Sequence, residues 1–105
     1  MALTYLKDNH AKILETNYRC KFGEIDIVAT DGQYLSFVEV KYRKNNNVGF
    51  ASEAVDINKQ IKICRVSDYY RMQKRIGEDT PIRYDVITID SNNIDWIKNA
   101  YEYLP

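Results

Sequence analysis

At 105 residues and 45% hydrophobic content, the chain suits one compact domain with one core and is short for two. Fifteen basic residues against fifteen acidic ones exclude a generally basic nucleic-acid coat. No apolar run approaches a transmembrane length, and the opening MALTYLKDNH lacks the basic and apolar regions of a secretory signal, so we expect a cytoplasmic protein with no membrane partner.

The elements follow in chain order. Residues 2–9 read as the end of a helix with Leu3 and Leu6 on one face, and His10 as an exposed polar residue. KILETNYRC (12–20) mixes β-branched, aromatic and polar residues and reads as a strand. EIDIVA (24–29) and YLSFVEVKY (34–42) are stronger strands, and the Asp31-Gly32 between them signals a hairpin. NNNVG (45–49) is a polar loop, and Asp56 is placed to cap a helix over 57–75. Ile57, Ile61 and Cys64 suggest that helix's apolar stripe. IRYDVITID (82–90) is a further strand, and IDWIKNAYEYL (94–104) reads equally as strand or helix. The order predicts a mixed α/β sheet: helix, three-strand meander, crossover helix, strand, with helices flanking the sheet.

Two cysteines, Cys20 and Cys64, lie far apart and outside any CxxC pair, so free buried thiols are expected. With His10 the only histidine, a zinc site lacks ligands and a histidine-based triad lacks a partner. Charge is unevenly spread. From Lys41 to Arg75 nine basic residues face three acidic ones, a net of +6 balanced by −6 elsewhere. One basic face steering a polyanion and a merely solvated helix fit this equally well.

Charges inside the two hairpin strands raise a chemical question. If Asp31-Gly32 forms the turn, residue i pairs with 63 − i, which sets Glu24 opposite Glu39 and Asp26 opposite Phe37. Alternation then puts Glu24, Asp26, Glu39 and Lys41 on one face and Ile25, Ile27, Val38 and Val40 on the core face. Adjacent carboxylates repel, and they either take up a proton or recruit a cation. Mg²⁺ or Mn²⁺, bound through oxygen ligands, would resolve the conflict. The plain alternative is a wet sheet face with weak salt bridges to Lys41.

The run NYRCKFGEIDIVATDGQYLSFVEVKYR (17–43), followed by ASEAVDINKQIKI (51–63), RYDVITID (83–90) and IKNAY (97–101), resembles the YraN-like family of uncharacterised bacterial proteins over nearly the whole chain. That family is assigned to the restriction-endonuclease-like, PD-(D/E)xK nuclease fold. The resemblance implies a single nuclease-like domain over 1–105. Asp26 matches the first acidic metal ligand, Glu39 and Lys41 the E-x-K half of the motif, and Gln60 a glutamine that orients the site. Glu24 matches the acidic residue of GEID, a further candidate ligand. Relatives usually open with a longer helix carrying a Gly-Glu pair. The resemblance therefore implies a shortened helix here, without a glutamate that could reach the metal.

The activity so implied is Mg²⁺- or Mn²⁺-dependent hydrolysis of phosphodiester bonds in nucleic acid, with DNA favoured and branched DNA as an analogy. Symmetrical cutting of a branch would call for a homodimer. Asp26 and Glu39 would hold the ion, and Lys41 would meet charge on the phosphate. Arg43, Lys44, Lys59 and Lys62 lie near in sequence and would grip the backbone without sequence preference. The alternatives are a catalytically inactive nucleic-acid-binding module of the same fold, and an interaction domain whose acidic face takes no ligand. Each residue also has a bland reading: Gln60 as helix surface, Lys59 and Lys62 as solvated, Tyr69, Tyr70, Tyr101 and Tyr103 as packing rather than base stacking.

Overall fold

The computed structural model describes residues 1–43 and 55–105; the expected loop at 45–49, together with Lys44 and Glu53, lies outside them. Seven elements follow one another: α1 (Ala2–Asp8), β1 (Lys12–Cys20), β2 (Gly23–Asp31), β3 (Tyr34–Tyr42), α2 (Ile57–Gln73), β4 (Ile82–Ile89) and β5 (Ile94–Tyr101). All five strands join one sheet in the order β1-β2-β3-β4-β5. β3 and β4 run parallel, and the other neighbours are antiparallel. A parallel pair needs a crossover, and α2 supplies it. The mixed α/β order matches the restriction-endonuclease-like arrangement expected from the sequence. The ambiguous segment after Asn93 is a strand, as its pairing with β4 requires.

The sheet is covered on both sides. Against α2 lie Val28, Leu35, Phe37, Tyr84 and Val86, meeting Ile63, Cys64, Val66 and Tyr70. Against α1 lie Ile27, Ala29, Val38, Ile87 and Ile89, meeting Ala2 and Leu6. β4 is buried on both faces, which explains its apolar residues at alternate and intervening positions alike. Phe37 is fully buried and touches the Tyr70 and Tyr84 rings. Truncating such a side chain costs about 3–5 kcal/mol.

Asp56 caps α2 as expected, accepting a hydrogen bond from the Lys59 N–H at 2.9 Å. The helix presents a different face from the one its isoleucines suggest. Gln60, Ile63, Cys64, Ser67 and Tyr70 are buried, whereas Ile57 and Ile61 are exposed. Two polar members disguise the true stripe, and both have buried partners. Gln60 donates from Nε2 to the Val55 carbonyl at 2.8 Å. Ser67 donates to the Cys64 carbonyl at 2.7 Å, so the Tyr84 hydroxyl, also 2.7 Å away, must donate to Ser67. On α1, Leu6 is buried and Leu3 is 37% exposed, so the two do not share the core face. His10 is exposed and has φ +72, which lets the chain turn from α1 into β1. Both cysteines are free; Cys64 is buried, but Cys20 is only half-buried.

Candidate active site

The hairpin register differs from expectation by two residues. Asp31 pairs with Tyr34, leaving Gly32 and Gln33 as the turn, and Thr30, Val28 and Ile27 pair with Leu35, Phe37 and Val38. Gly32 has φ +61, a conformation open to glycine, so the turn forms around it one residue later than Asp-Gly alone suggests. The correction changes the chemistry. Glu24 is not opposite Glu39; continuing the ladder past Ile27 and Val38 brings Asp26 to that place.

The ladder does not continue as backbone pairing there. The Asp26 carboxylate accepts the Val40 N–H at 2.8 Å, so a side chain fills the edge that β2 vacates. On the other side of β2, Asn17 of β1 has φ +51 between the pairs Thr16–Ile27 and Tyr18–Ile25. The inside-outside alternation slips at this point. Ile25 packs in the cluster under α2 and Ile27 in the cluster under α1, although residues two apart normally share a face. The expected common core face of Ile25, Ile27, Val38 and Val40 is therefore split. β2 and β3 fork, and the two carboxylates sit in the fork.

Glu39 is the strained member of the pair. Its side chain is 13% exposed. Burial, and then the neighbouring Asp26 carboxyl, push its pKa up to about 7, while the Lys59 ammonium works against them. Lys59 Nζ lies 3.4 Å from Glu39 Oε1 and is half exposed, a loose pairing. Glu39 is thus poised at neutral pH between holding a proton and facing a positive charge.

Two hollows meet at Glu39. One, of about 500 Å³, is lined by Asp26 and Glu39 with Thr16, Asn17, Leu3 and Tyr42 among others. The other, of about 120 Å³, is lined by Glu39, Lys41, Val55, Asp56 and Lys59. Lys41 is exposed at the end of β3, opposite Thr88 of β4. The expected group of Asp26, Glu39 and Lys41 is therefore assembled around one residue, Glu39. Glu24 is elsewhere: it bonds Arg19 of β1 at 2.6 Å. Gln60 is buried one residue beyond Lys59 and holds the start of α2 through Val55. Arg43 is half-buried, its N–H on the Ile89 carbonyl, and Lys62 is exposed on α2. Lys44 lies outside the described residues.

Would this pair suit a divalent ion? Among the described residues no group of three or more His, Cys, Asp or Glu side chains gathers, so these residues offer an ion two carboxylates here. Mg²⁺ is commonly held that way, keeping waters and taking substrate phosphate oxygens for the rest. Two carboxylates lining one hollow, with the Glu39 pKa pushed up to about 7, fit that mode.

Sequence reasoning missed several groups. The Val40 N–H that fixes Asp26, the turned backbone of Asn17, and Tyr42 beside the carboxylates have no motif. A second charged network was also missed, although Arg83 and Asp85 inside an apolar strand are its signal. Asp85, fully buried, accepts from Ser36 at 2.6 Å, Trp96 Nε1 at 2.9 Å and the Asn99 N–H at 2.9 Å, and its carboxylate meets Arg83. Arg83 also reaches Asp31 at 2.9 Å, where Lys98 joins it. The Lys98 ammonium, then the Arg83 guanidinium, hold the Asp31 carboxyl below its ordinary range. The network ties the hairpin turn to β4 and β5.

The model of the uncharacterised protein family UPF0102 matches residues 1–89. A UPF0102 protein of Lachnoclostridium phytofermentans is 48% identical over 101 residues, covering 96% of this chain and 86% of that protein. One from Legionella pneumophila strain Philadelphia 1 is 43% identical over 104 residues, covering 97% and 88%. One from Fusobacterium nucleatum is 48% identical over 88 residues, covering 84% and 73%. With the family model spanning most of its length and such relatives aligned nearly end to end, the chain belongs to the UPF0102 family of uncharacterised proteins.

Proposed function

We propose that the Asp26–Glu39 fork is the site of a metal-dependent nuclease that hydrolyses phosphodiester bonds in nucleic acid, with DNA as the favoured substrate. The observation that carries this reading is the meeting of both carboxylates in one hollow, with Glu39 also lining a second, smaller hollow that holds Lys41 and Lys59. Mg²⁺ or Mn²⁺, when bound, would supply a nucleophilic water at neutral pH and a counter-charge for the phosphate. The chain's own groups do the rest. Asp26 is held in place by the Val40 N–H, so its carboxylate needs no reorganisation. Glu39 gives up its proton readily near pH 7, as a cation ligand must. Lys41 meets negative charge developing on the phosphate. Lys59, loosely paired and half exposed, can turn from Glu39 to a phosphate oxygen.

A second reading keeps the fold and the binding but not turnover. The Lys59 ammonium 3.4 Å from Glu39 favours it. Titration calorimetry with Mn²⁺, and cleavage of branched, single-stranded and duplex DNA, separate the two. The nuclease reading expects heat on Mn²⁺ addition and cleavage that falls at least a hundredfold in Glu39→Ala and Lys41→Ala. Heat without cleavage supports the binding module. Cleavage equal to wild type in both variants refutes the assignment of the site.

A further inference from the structure

We infer that the larger hollow receives the base of an unpaired nucleotide adjacent to the cut, resting on Tyr42, so that the substrate is nucleic acid single-stranded at that point. This rests on the nuclease reading and narrows its substrate class. Tyr42 ends β3, is 69% exposed, and lines the same hollow as Asp26 and Glu39. A lone exposed aromatic is ordinary; one that shares a cavity with a carboxylate pair is not. Glu39 forms the common wall between this hollow and the small basic one of Lys41 and Lys59. A phosphate held at the carboxylates through their bound cation would therefore have the hollow with Lys41 and Lys59 to one side of Glu39 and the hollow with Tyr42 to the other. That is the arrangement of a nucleotide, with backbone towards lysine and base towards tyrosine.

Size and geometry point the same way. At about 500 Å³ the hollow falls within the roughly 300–1,000 Å³ of small-ligand pockets. A base in a continuous duplex is paired and stacked on both faces, and reaches a protein ring only by leaving the helix at a cost of a few kcal/mol. An already unpaired base avoids that cost. Asn17, with φ +51, also turns the β1 backbone where it lines the hollow.

The test is binding by fluorescence anisotropy in Ca²⁺, with gel analysis to show the oligonucleotides remain intact. The probes are a labelled twelve-nucleotide single strand and a blunt hairpin duplex. The inference expects tighter binding of the single strand, a loss of roughly 5- to 150-fold in Tyr42→Ala for that strand only, and recovery in Tyr42→Phe. Tyr42→Ala binding single strand as wild type does, or wild type preferring duplex, overturns the inference and leaves the carboxylate site standing. Wild type binding neither probe refutes both.

Discussion

Replacing Glu39 by glutamine should stabilise the protein at high pH and leave it nearly unchanged at low pH. Glutamine keeps the shape and hydrogen bonding but cannot ionise. In the folded protein the Glu39 pKa is raised from 4.5 to about 7. At roughly 1.4 kcal/mol per pH unit this is worth about 3 kcal/mol. The sign follows from proton uptake. Below pH 4.5 the carboxyl is protonated whether folded or unfolded, and nothing is lost. Between 4.5 and about 7 only the folded form holds the proton, so wild-type stability falls as pH rises. Above about 7 both forms are ionised and the whole cost is present. Urea denaturation in EDTA at pH 4.5, 6 and 8 should show wild type and Glu39→Gln close together at the lowest pH. At pH 8 the variant should lead by about 3 kcal/mol, or on the order of 10–20 °C in Tm for a domain this size. Removing the neighbouring negative charge in Asp26→Asn should shrink the pH dependence, and Lys59→Ala should enlarge it, because Lys59 opposes the shift. A difference that stays constant across pH, or a glutamine variant less stable at pH 8, would show that Glu39 is not a buried carboxyl under repulsion.

Two further outcomes concern the scaffold. Asp85→Ala should cost about 3–5 kcal/mol in urea denaturation, because it leaves Arg83 buried without its main partner; joint replacement of both by apolar residues should cost much less. Asp56→Ala should cost about 1 kcal/mol through the lost cap, read by the same denaturation.

The order of the elements was legible because it rests on local chemistry. The Asp56 cap and the β-branched runs of β2 and β3 each depend on neighbours in sequence. The burial stripe of α2 was misread because Gln60 and Ser67 occupy it while Ile57 and Ile61 do not. A polar residue can be buried when tertiary partners satisfy it, and sequence does not show those partners. Asp26, Glu39 and Lys41 were recognisable as types at a spacing. Alternation set them on one face, but which carboxylate stands opposite Glu39 was misread, since the register is offset by two and Glu24 turns to Arg19.

By itself, the sequence determined which segments become strand and helix, and supplied two carboxylates and a lysine within sixteen residues of one hairpin. Only the tertiary structure decided which carboxylates share a site. Asn17 adopts a left-handed backbone beside Asp26, and beyond Val38 β3 keeps its pairing with β4 while its pairing with β2 ends. That parting of strands is set by contacts distant in sequence, and it places Asp26 on the Val40 amide and against Glu39.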